Sequence, residues 1–98
     1  MAKSIYIITE SHQDCPDEFE RARMDSLERA DEVFESCVKY ADREAQEESN
    51  QRVDPYWHTY YLYRSEVDEE GLEVFSECIN SVTSKKYLRG HVTERKHL

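Results

Sequence analysis

Glycine and proline are nearly missing from this chain, with two of each in 98 residues. Gly71 and Gly90 alone cannot build the glycine-rich loop that cradles a phosphate group, and long stretches hold nothing to break a helix or a strand. Long apolar runs are missing too. No segment approaches the ~20 apolar residues of a membrane-spanning helix, and the first apolar run, residues 5–8, is too short for a secretory signal. Positive charge is scarce: 13 Lys and Arg stand against 22 Asp and Glu, a formal net charge of −9. Direct binding to a nucleic-acid backbone or an anionic membrane needs basic surface, so neither is expected. Cysteine is scarce and odd in number. Cys15, Cys37 and Cys78 cannot all pair within one chain, which predicts a reducing, cytoplasmic setting.

Charged residues make up 36% of the chain, against a usual share of ~25%, while aromatics make up 11% and cluster, which argues against a disordered chain. The length suits one domain over residues 1–98 with one modest core. Residues 25–47 form the longest regular pattern. Leu27, Ala30, Phe34, Cys37, Ala41 and Ala45 recur at spacings of three and four, the apolar stripe of an amphipathic helix. Val33, Val38 and Tyr40 widen it. Asp25 is the expected N-cap, with Glu28 at the capping-box position, and Leu27 and Phe34 are expected core residues.

Around this helix the chain alternates in strand-like segments. Residues 3–10 place Ile5, Ile7 and Thr9 on one face and Tyr6, Ile8 and Glu10 on the other, as in a strand near the centre of a sheet. Residues 11–17 read as a loop. Residues 19–24 fit either a short edge strand or the first turns of a longer helix, with a break at Met24 and Asp25 favoured. After a polar segment at 48–55, residues 56–67 carry the densest strand signal. Trp57, Thr59, Tyr61 and Tyr63 share one face; Tyr56, His58, Tyr60 and Leu62 share the other. Asp68 and Gly71, first and fourth of a type I turn, predict a hairpin. Residues 72–79 fit a strand or a helix, the strand being favoured. Residues 80–86 read as a polar turn, 87–93 as a last strand and 94–98 as a fraying tail. The predicted fold is α+β: a small antiparallel sheet of three to five strands with one long amphipathic helix packed across one face.

Chemistry-bearing motifs are few. His12 and Cys15 have a spacing found among metal ligands, but no second close pair completes a site. Pairing Cys15 with His58 or His91 gives a nucleophile and base only by combination, without a local signature. No metal, no cofactor and no enzymatic activity are therefore expected. Two features point to partners. Trp57, Tyr60, Tyr61 and Tyr63 are the residue types that anchor protein interfaces, and a helix covering one sheet face leaves one aromatic cluster outside. A protein partner, most simply a second copy in a two-fold dimer, is the expected cover. Glu28, Asp31, Glu32 and Glu35 form an acidic row on the helix. A row of like charges suits a solvated face, or an inhibitor that imitates a phosphate backbone and blocks a basic site on a target protein. Lys85, Lys86, Arg89, Arg95 and Lys96 make the C-terminal end basic and able to pair with that acidic body or with a neighbour's.

Overall fold

The chain opens with a hairpin. β1 (Lys3–His12) turns at Gln13 and Asp14 into β2 (Cys15–Met24), and His12 stands opposite Cys15 at its closed end. The loop expected over 11–17 thus shrinks to a two-residue turn, and residues 19–24 belong to an edge strand rather than a helix. Pro16 fits there because one side of an edge strand has no ladder partner to lose. Two register shifts between β1 and β2 accommodate the extra residues of the pair. The computed structural model describes the backbone of residues 3–49, 56–87 and 90–97, and the side chains of residues 3–43, 57–84 and 94–96. Of the polar segment expected at 48–55, residues 48 and 49 are helical and 50–55 lie outside the described residues, as do the side chains of Ala45 and Tyr56 and those of Lys85, Lys86 and Arg89.

The helix, α1 (Leu27–Ser49), begins one residue later than the capping box implied. Ser26, not Asp25, is the N-cap. Its Oγ accepts from the Arg29 N–H at 3.3 Å, and its carbonyl accepts the first intrahelical bond from Ala30 at 2.9 Å. Ala30, Phe34, Val38 and Ala41 are buried against the sheet, with Val33 and Cys37 half-buried beside them. Leu27 is 45% exposed, so the stripe's first member is not core. It sits in the first turn, where the helix has only begun to cross the sheet.

β3 (Tyr56–Val67) and β4 (Glu73–Tyr87) form the long central hairpin. Asp68 organises its turn: Oδ1 accepts from the N–H groups of Glu70 and Leu72, and the Asp68 carbonyl accepts from Gly71. Gly71 has φ = 83°, a left-handed conformation that closes such a three-residue loop and that a side chain disfavours. The polar turn expected at 80–86 does not exist. β4 runs through it, and β5 (Gly90–His97) takes in the segment expected to fray. A bulge at Ile79 shifts the register between Leu62 and Tyr63.

All five strands lie in one antiparallel sheet, ordered β2-β1-β3-β4-β5, with α1 across one face. α1 carries the chain from the β2 edge back to β3, which pairs with β1 and joins the two hairpin units. Ile8, Tyr60, Leu62 and Val82 form the sheet's half of the core. β4 has 15 residues, so at ~3.3 Å per residue it spans about 50 Å, whereas a 23-residue helix reaches about 34 Å. The molecule is 51 Å long. The β3–β4 hairpin therefore runs past the start of α1, and Leu72, Val74 and Phe75 are exposed there.

Candidate functional site

The helix takes the Tyr60 and Leu62 side of β3. Trp57, Thr59, Tyr61, Tyr63, Ser65 and Val67 therefore face away from it, beside Ile5, Ile7 and Thr9 of β1 and Ser76, Cys78, Ser81 and Thr83 of β4. Trp57, Tyr61 and Tyr63 are half-buried, and the two tyrosine rings lie 6.1 Å apart. Three of the four expected aromatic contacts are thus on one open face. Tyr60 is not: it is 1% exposed and lies beneath the helix. The sequence offered two alternating faces and nothing local to say which the helix would take.

The open face is coiled, and several of its hydroxyls are paired with one another or with Glu18. Arg23 of β2 reaches within 3.9 Å of Glu73 of β4, although three strand spacings of ~4.8 Å separate these strands in a flat sheet. The sheet curls over this face, so Ile7, Ser65, Thr59 and Val67 are buried without help from the helix. Thr59 and Thr83 share a hydrogen bond across the central strands at 2.9 Å, as do Ser65 and Ser76 at 3.1 Å. Glu18 accepts from the Tyr63 hydroxyl at 2.6 Å and from Thr9 Oγ1 at 2.5 Å. Burial and then this bond to Glu18 hold the Tyr63 hydroxyl well above the ordinary phenol range, and burial raises Tyr61 first of all. Neither phenol is a source of protons or of nucleophilic oxygen near neutral pH.

Behind the same strands lies a buried polar knot. Glu10 is 5% exposed, and its carboxylate accepts from His58 Nε2 at 2.5 Å, from Arg21 Nε at 2.9 Å and from the Tyr60 hydroxyl. His58 stacks on Tyr60 with centroids 5.0 Å apart and meets the edge of Tyr40 from α1. Burial, then the hydrogen bond to Glu10, raises the Tyr60 phenol. Burial likewise raises the nearby Cys37 thiol, with Arg21 opposing, so Cys37 stays protonated and unreactive. The knot ties β1, β2 and β3 under the helix. A carboxylate on the same strand face as Tyr6 and Ile8 was the sequence's signal for it.

The acidic row is exposed at Glu28, Asp31, Glu32 and Glu35. It is not purely acidic in space. Arg95 of β5 forks onto Glu35, Nη1 to Oε1 at 2.9 Å and Nη2 to Oε2 at 3.0 Å, so the C-terminal strand neutralises the end of the row. The three cysteines are thiols, only Cys15 being exposed. Among the described residues no group of three or more His, Cys, Asp or Glu is gathered as a metal would require, and no helix is long and apolar enough to cross a membrane. Comparison with family models, curated proteins and solved structures finds no match to this chain.

Proposed function

We propose that this chain is a non-enzymatic protein-binding module whose docking surface is the open sheet face around Trp57, Tyr61 and Tyr63. The observation that carries the reading is the combination of large half-buried rings with hydroxyls already paired across the strands. Where these hydroxyls are paired, a partner can dry the face without the usual penalty for burying unsatisfied polar groups, and the Trp57 indole N–H is left to meet an acceptor on the partner. Its curl favours a convex apolar element of another protein. Two such faces meeting each other would trap empty space, so a second copy of this chain fits less well. The three thiols support a reducing, cytoplasmic setting. The phosphate-mimic reading has less support, because Arg95 interrupts the acidic row at Glu35.

The test is capture of partners on the immobilised chain, with Tyr61→Ser/Tyr63→Ser as the comparison, at low and high salt. The expected result is a captured protein that is lost with the double variant and retained in high salt, since an aromatic contact responds weakly to screening. Capture that vanishes in high salt and ignores the tyrosines would replace this reading with the mimic. Sedimentation at micromolar concentration reads self-association directly; a dimer broken by the same double variant would make the second copy the partner.

A further inference from the structure

Where the sheet runs past the start of α1, a cleft of about 360 Å³ opens between helix and sheet. That volume lies within the ~300–1,000 Å³ range of small-ligand sites. Leu27, Leu62, Ile79 and the Tyr6 ring give it apolar walls, and Asp31, Glu77, Asn80 and the Tyr6 hydroxyl contribute its oxygen atoms. Arg64 also borders the cleft, but its guanidinium is engaged: Nε donates to Glu77 at 2.9 Å and Nη1 to Glu66 at 3.0 Å. Asp31 forms no ion pair among the described residues, so the carboxylates here outnumber the cation.

Asn80 is the decisive residue. It is 5% exposed, yet its Oδ1 has no hydrogen-bond partner among the described residues. A buried acceptor left unpaired is costly and uncommon, and it calls for a donor. The terminal torsion of an asparagine is broad, so the sealed Oδ1 can turn toward the cleft that Asn80 itself helps to wall. Besides Arg64, the Tyr6 hydroxyl and the Asn80 amide nitrogen are donors in this wall, but the two carboxylates leave it acidic, and the rest is apolar. A protonated nitrogen on a hydrophobic body suits the carboxylates, the unpaired acceptor and the apolar walls, whereas an anion would meet Asp31 and Glu77. We propose that this cleft binds a small hydrophobic amine in its ammonium form, with the nitrogen between Asp31 and Asn80 and the apolar body on Leu62 and Ile79.

Tryptamine is a suitable probe, titrated into the isotope-labelled full chain and followed by NMR. Saturable shifts are expected at the Asn80 side-chain amide and at the Leu62 and Ile79 methyl groups. N-acetyltryptamine, which loses the charge, should bind about tenfold more weakly, and indole-3-acetate should not bind. Asn80→Leu should weaken tryptamine about tenfold while its melting temperature holds or rises, because the unpaired acceptor is gone. An asparagine with only a structural role would not separate affinity from stability in this way. Asp31→Asn, an exposed change that leaves the core untouched, carries the same comparison should Asn80→Leu fail to fold. The proposal is overturned by an absence of saturable shifts, by shifts centred on Trp57, Tyr61 and Tyr63 instead, or by wild-type affinity in the variants. A resident water that already satisfies Asn80 would give the first of these results.

Discussion

Glu10 is where single-residue chemistry matters most. Three donors converge on one carboxylate that is nearly sealed from water, and each leaves the others dependent on it. Removing one partner of a buried charged set strands the rest, which typically costs ~3–5 kcal/mol. Glu10→Ala should therefore lower unfolding stability by about that amount, read from the urea midpoint at constant m; a loss below about 1 kcal/mol would place the knot at the surface. Tyr60 adds a pH dependence. Its phenol is raised in the folded chain, so its contribution is complete below the ordinary phenol pKa of ~10 and drains away as pH climbs from there toward the folded value. Stability should hold up to about pH 10 and then fall by as much as ~1.4 kcal/mol per pH unit for each such group. An ultraviolet titration should show Tyr60, Tyr61 and Tyr63 ionising above the ordinary phenol range, or only as the fold is lost. At this scale the sequence was partly legible. Glu10 shares an apolar strand face with Tyr6 and Ile8, which marks it as unusual, but its partners lie 11 and 48 residues away or more and nothing local names them.

The elements differ in how much of themselves they reveal. α1 declares itself through its spacing, and Phe34 is its largest fully buried side chain. Phe34→Ala should cost ~3–5 kcal/mol, whereas Leu27→Ala, at the open first turn, should cost about 1 kcal/mol or less. Paired thermal melts of the two variants test whether the helix is seated as described; equal losses would mean that it is not. β3 is legible for the same reason, since aromatics alternate along it without interruption. β4 is not. Asn80, Ser81, Thr83 and Ser84 read locally as a turn, and Val82 is the one apolar residue among them that the core takes. These residues are strand because β3 on one side and β5 on the other satisfy their backbone groups, and the polar side chains find partners across the sheet, as Thr83 does with Thr59. Tertiary pairing overrides a weak local preference there.

Across the whole molecule, length and charge set the arrangement. The sheet outruns the helix, so one end of the covered face opens into the Asn80 cleft while the opposite face curls on itself. The acidic helix and the basic C-terminal strand meet at Glu35 and Arg95, as the charge distribution along the chain implied. Both side chains are substantially exposed, so a double-mutant cycle on Glu35→Ala and Arg95→Ala should return only ~0.2–1 kcal/mol, shrinking as salt is added. A larger, salt-independent coupling would show that the pair is shielded. The sequence by itself determined the class of the molecule: one amphipathic helix, alternating strands with turn residues between them, and a strong excess of acidic over basic residues. Those follow from periodicity and composition, which are local or additive. The tertiary structure alone decided that Tyr60 is core while Tyr61 and Tyr63 are surface, that a polar stretch is the longest strand, and that Asn80 is buried beside an open cleft. Each of these depends on which face of a two-sided strand the helix occupies and on how far the sheet extends beyond it, and no residue encodes that choice without its distant partners.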